Sequence, residues 1–168
     1  MNKKVYTIIL MVVLMVVIAL MKNLFVRNIE EIAISNNNIQ SFNKNILREG
    51  KYSFSLPSGW DIDDLNNKKD DIIATFNNKE DIYGSISIVN SDIDTVYKNI
   101  KGNIVINKNV KDLYNWRFIA ENNGKDISNY YIRDYSEGKV LIIKFSYREG
   151  KEKESIKVVF EYIAKSFI

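Results

Sequence analysis

Val5 to Met21 is an unbroken run of 17 uncharged residues, VYTIILMVVLMVVIALM, closed at its two ends by Lys4 and Lys22. No other segment limits the chain as much. At 1.5 Å per residue a helix of this length spans about 26 Å, slightly less than a hydrocarbon core of about 30 Å. Lys22 can snorkel to the interface, so that Leu24, Phe25 and Val26 extend the apolar stretch, with Tyr6 and Phe25 near the two interfaces. All four Met lie at or before position 21, which leaves none for a soluble core. We therefore expect a transmembrane helix over about residues 5–26, within an N-terminal anchor of residues 1–27.

A cleaved signal peptide is the alternative, and Lys3 and Lys4 supply its positive start. The apolar run is longer than a signal's 7–15-residue core, and no small-x-small pair closes it. Ala19 is followed by Leu20, Met21 and Lys22, and the Ala33–Ser35 pair lies too far downstream. Lipoprotein processing needs a Cys, and the chain has none. The basic residues flanking the span almost balance, with Lys3 and Lys4 before it and Lys22 and Arg27 after. Lys3 and Lys4 are packed into the first four residues beside the α-amine, and Glu30 and Glu31 follow Arg27, which favours a cytoplasmic N-terminus and a domain outside the cell membrane.

Charge is uneven. The chain holds 24 Lys and Arg against 21 Asp and Glu; four of those basic residues and none of the acidic ones precede residue 28, leaving 20 against 21 beyond it. The body is thus neutral and lacks the basic stripe that nucleic acid requires. With no Cys and no His, thiol nucleophiles, thiolate or imidazole metal sites and Ser-His-Asp chemistry are all excluded. We expect no cofactor and no catalytic residue.

Residues 28–49 read as a juxtamembrane stalk or helix. Ile29, Ile32 and Ala33 suggest helical turns, Ser35-Asn36-Asn37-Asn38 breaks them, and Ile39, Phe42 and Ile46 recur at helical spacing. Residues 50–168 read as an α+β domain. Strands are expected at Tyr52–Leu56, Ile72–Phe76 and Tyr83–Val89 as antiparallel neighbours, with Trp60 and Ile62 continuing the first pattern. A helix capped by Ser91 follows, carrying Ile93, Val96, Tyr97, Ile100 and Ile104 on one face and Gly102 as its stop. After a polar connection, strands are expected over Leu113–Glu121, Ile127–Tyr135 and Lys139–Arg148, with Asn123-Gly124 forming a type I′ turn. In the last strand Leu141, Ile143, Phe145 and Tyr147 face one way and Val140 and Ile142 the other, so both sheet faces need cover. Within 151–168, Ile156, Val159, Phe160, Ile163 and Phe167 form the stripe of a closing helix, with Glu152 and Glu154 in its first turn and Lys165 in its last. The order βββ-α-βββ-α argues α+β with a mostly antiparallel sheet.

Tyr52-Ser-Phe-Ser-Leu-Pro-Ser-Gly-Trp60 resembles the opening strand of PsbP-like domains. The hairpin through Gly138, the strand Val140–Tyr147 and the ending Ile163-Ala-Lys-Ser-Phe167 are similar to that family's close. The resemblance covers roughly residues 50–168 and implies an α/β/α sandwich, with Trp60 and Phe167 in the core. It also implies a fold used chiefly to bind other proteins, seen too in a nuclear-import regulator and in bacterial envelope lipoproteins. No functional residue carries over, since the histidine metal sites of photosynthetic members have no counterpart here.

Three clusters carry possible chemistry. Asp61, Asp63, Asp64, Asp70 and Asp71 are oxygen ligands, but Leu65 and Asn66 break the calcium-loop spacing and Lys68 and Lys69 intrude. Ser41-Phe-Asn-Lys44 matches S-x-x-K, the spacing of a Ser–Lys hydrolase, without the S-D-N or K-T-G partners. On the strand 127–135, Tyr131, Arg133 and Tyr135 share a face that Trp116 can join, and Tyr and Arg are the side chains that dominate interface hot spots. These four form the candidate partner-binding face. The expected function is a non-catalytic, single-pass, extracytoplasmic module that binds or scaffolds another envelope protein. A secreted protein of the same fold and a Ser–Lys envelope hydrolase are the alternatives.

Overall fold

The computed structural model describes residues 3–64, 71–102, 106–111, 116–150 and 154–168. It opens with α1, Lys3–Asn36, 34 residues or about 51 Å of helix. From Val5 to Met21 this helix is exposed throughout, and it is long and apolar enough to cross a membrane. Its far end behaves differently: Ala33 is buried and the last turns contact the closing helix. The helix ends as the Asn-rich stretch implies. Asn38 takes a left-handed φ of 56°, while its N–H reaches the Ser35 carbonyl and that of Ile39 the Ile34 carbonyl, a Schellman close.

The next segment differs from expectation. Residues 42–47 form a strand, β1 (Phe42–Leu47), and not a stalk or a helix. It pairs antiparallel with β2 (Tyr52–Pro57) through a turn in which Arg48, Glu49 and Gly50 all have positive φ. Asn43 and Asn45 are poor helix formers, and β2 offers backbone groups that need partners. Phe42 and Ile39 do dock on the domain, Phe42 lying 4.3 Å from the Tyr162 ring, but Ile46, the third residue at that helical spacing, is exposed, because a strand does not keep the three on one face. Ordered structure therefore begins well before residue 50.

Tyr52–Pro57 does not join the main sheet as a neighbour of the next two strands. Its second edge is taken by the C-terminus, where Ser53 and Ile168 exchange two backbone hydrogen bonds and the Ser55 N–H donates to Ser166 Oγ. Gly59, at φ 91°, turns the chain into the main sheet. That sheet holds β3 (Asp61–Asp64), β4 (Ile72–Asn77), β5 (Tyr83–Asn90), β6 (Ile106–Lys111), β7 (Arg117–Asn123), β8 (Asp126–Ser136) and β9 (Lys139–Arg148). The order is β3-β4-β5-β9-β8-β7-β6, with every pairing antiparallel. β6 occupies a stretch read from sequence as a polar connection; INKNVK is a charged edge strand, the composition that protects an open edge. The β7–β8 turn is shifted by one residue from expectation. Gly124 and Lys125 are its central pair, and only Gly124 has positive φ, which is type II′ geometry.

One sheet face carries α2 (Ile93–Gly102) and the other carries α3 (Ile156–Lys165) with the β1–β2 hairpin. The result is the expected α/β/α sandwich. Asp92, not Ser91, caps α2: its Oδ1 accepts from the Thr95 N–H at 2.8 Å. α3 starts at Ile156, so Glu154 precedes it; Lys165 lies in its last turn. Ile104, Leu113, Glu152 and Asp70 lie outside the described residues, as do Leu65, Asn66, Lys68 and Lys69.

Candidate functional site: a cleft between the last helix and the sheet

Seven strands about 4.8 Å apart make a sheet about 29 Å wide, whereas one helix covers about 10 Å of it. On the face that α3 shares with the β1–β2 hairpin, this leaves ground towards β7 that no other described helix covers. A cleft of about 530 Å³ opens there, walled by Trp116, Phe118, Ile127 and Tyr131 from the sheet and by Lys157, Glu161, Ala164 and Lys165 from α3. Such a volume suits a small molecule or one large side chain.

Alternation places these groups. In β8, Ile127, Asn129, Tyr131, Arg133 and Tyr135 point to the α3 side, opposite Tyr147, Phe145, Ile143 and Leu141 of β9. Of the four residues singled out from sequence, Trp116 and Tyr131 are buried in the core and line the cleft. They meet edge to face at 6.5 Å. Arg133 is half-buried, its guanidinium 4.9 Å from the centre of the Trp116 ring and its Nη2 donating to the Phe167 carbonyl at 2.7 Å. Burial draws its pKa down from the ordinary arginine value, with Tyr135 acting the other way. Tyr135 packs against Phe167 and Tyr52. The four are thus brought together, as a layer beneath α3 and the C-terminus and not as a bare stripe.

The Tyr131 hydroxyl makes a long 3.4 Å hydrogen bond to the Lys157 carbonyl. Burial pushes its pKa well above the ordinary tyrosine value, helped by the nearby Glu161 and Tyr147, so it stays a neutral donor. Asn129 was not singled out from sequence. It lines the cleft, is 0% exposed, and donates through Nδ2 to the Tyr147 hydroxyl at 3.0 Å. Its Oδ1 has no hydrogen-bond partner among the described residues. The signal for it was a polar residue at an inward position of a central strand, between Ile127 and Tyr131.

The other two clusters are not assembled. Ser41 and Lys44 are both exposed, and three residues apart along an extended chain they face opposite ways; S-x-x-K chemistry needs a helix to align them. Asp61 pairs with Lys79 at 3.1 Å on the surface, and Asp63 and Asp71 are exposed. The side chain of Asp64 and all of Asp70 lie outside the described residues. No group of three or more possible metal ligands occurs among the described residues.

No family model matches the chain, and no curated protein matches it in sequence. Solved structures do match in fold. The solution structure of cyanobacterial PsbP (CyanoP) from Synechocystis is 17% identical, with a TM-score of 0.50 over 77% of this chain and 93% of that one. The Ran-binding protein Mog1p of Saccharomyces cerevisiae is 7% identical, with a TM-score of 0.58 over 76% and 95%. A point variant of Mog1 is 8% identical, with a TM-score of 0.58 over 77% and 96%. The domain thus has the PsbP-like and Mog1-like fold that its opening and closing motifs imply.

Proposed function

We propose that this chain is a single-pass membrane protein whose α+β head lies on the extracytoplasmic side and binds another protein of the cell envelope, without catalysis. The observation that carries the reading is α1. One continuous helix bears a bare apolar surface of membrane length and then buries Ala33 in the head. Ala33 lies only seven positions, about 10 Å of helix, beyond Val26, so the head would ride close to the lipid surface. Asn37 fixes that junction through Nδ2, which donates to the Ala33 carbonyl at 2.8 Å and to Ser155 Oγ at 3.0 Å. A head held this way meets partners that are themselves at the membrane. The binding role is supported by the neutral body, by the Trp116–Arg133 layer beside an open cleft, and by the name of one protein of this fold, which binds Ran.

Protease added to intact cells tests the topology, and a photo-crosslinker at Tyr135 tests the binding. The expected result is digestion of the head without lysis, a mature mass that retains residues 1–27, and capture of a membrane-associated protein. A head protected until lysis overturns the orientation, and loss of the first residues from the mature chain favours a secreted form.

A further inference from the structure

We propose that the cleft beside α3 is a binding site for a small, planar, mostly apolar molecule carrying one N–H or O–H donor, the chemistry of indole or phenol. The walls are suited to a flat ring. Trp116, Phe118 and Tyr131 present aromatic surface, and Ile127, Ala120 and Ala164 complete an apolar slot. The floor carries the specificity. A buried amide whose oxygen is left unpaired costs free energy, and a ligand donor reaching Asn129 Oδ1 would remove that cost. On the α3 wall Lys165 and Glu161 pair at 3.2 Å, while the Glu121 carboxylate faces the other side of the sheet, where it accepts from the Tyr130 hydroxyl. An added peptide strand does not suit the site, because β7 is already paired on both edges, with β6 and β8. Such a site would serve the head on either side of the membrane.

The test is calorimetric titration of the full chain in lipid nanodiscs with indole and, separately, with 1-methylindole, which keeps the ring and lacks the donor. Indole is expected to bind about tenfold more tightly, the ratio of one neutral hydrogen bond closed on a buried unpaired acceptor. Ala120 lies directly across from Asn129 on the same face, so Ala120→Phe fills the slot while leaving the Asn129–Tyr147 bond in place. That variant should abolish binding, and since it leaves partition into lipid unchanged it also serves as the blank. Asn129→Leu should bring the two probes to within about twofold of each other. Equal affinity for the two probes in the unmodified chain, heat that survives Ala120→Phe, or no binding of indole overturns the proposal.

Discussion

The two faces of the seven-stranded sheet come from the same strands, yet one is an aromatic core and the other a small aliphatic one. On the α3 side, Phe54, Phe76, Phe145, Phe160 and Phe167 are buried together, with Phe160 stacked on Phe145 at 4.1 Å. On the α2 side the buried set among the described residues is Val96, Ile119, Ile132 and Val140. Beyond α2 that face turns polar. Ser128 and Ser146 share a hydrogen bond, Tyr130 donates to Glu121, and Lys144 lies over the Tyr130 ring. β9 shows the change in one strand: Val140 and Ile142 lead to Lys144 and Ser146, while Leu141, Ile143, Phe145 and Tyr147 stay apolar throughout. Coverage by a helix, and not strand propensity, decides where each face is apolar.

If the aromatic face carries most of the stability, Phe160→Ala should cost about 3–5 kcal/mol and Val96→Ala about 1–2 kcal/mol, read from denaturant unfolding of the chain in micelles. Equal losses would break the contrast. Gly84→Ala probes the aromatic side from its edge. Gly84 sits across from Phe76, and an added Cβ would fall 2.0 Å from the Phe76 ring. That ring in turn packs on Trp60, Phe54 and Phe145. A loss of about 1–3 kcal/mol is expected, because rings in contact on several sides cannot yield cheaply. Asn37→Ala loosens the seam between α1 and α3 on the same side and should cost about 1 kcal/mol, with earlier proteolysis near residue 37 as the local readout.

These contrasts were partly legible in the residues alone. The alternation of β9 and the stripe of α3 show their faces directly, since buried side chains recur at the strand and helix periods. The partner of Tyr52–Pro57 was not legible. It is a strand of Asn and Lys on one edge and the chain's own Ile168 on the other, and neither shows a strand pattern strong enough to read. The parity of Tyr131, Arg133 and Tyr135 was legible, but their cover was not, because it depends on where α3 docks. Asn129 shares their parity and went unnoticed, because nothing in one strand says how deeply a polar residue will sit once two neighbours flank it.

The smallest expected effect lies at the start of α2 and sharpens the weaker side of the contrast. Asp92 caps the helix, and its hydrogen bonds from Thr95, side chain and backbone, hold its carboxyl below the ordinary value of 3.8. A folded-state pKa below the unfolded one means the cap stabilises fully above about pH 4 and loses its effect as the pH falls through the folded value. Asp92→Ala should therefore lower the melting temperature slightly at neutral pH and flatten the decline below pH 4. Because α2 covers only a small core, its fraying should be visible as faster amide exchange in 93–97 while α3 stays protected. Equal loosening of both helices would mean that the two faces open as one unit and that their difference in packing has no counterpart in local stability.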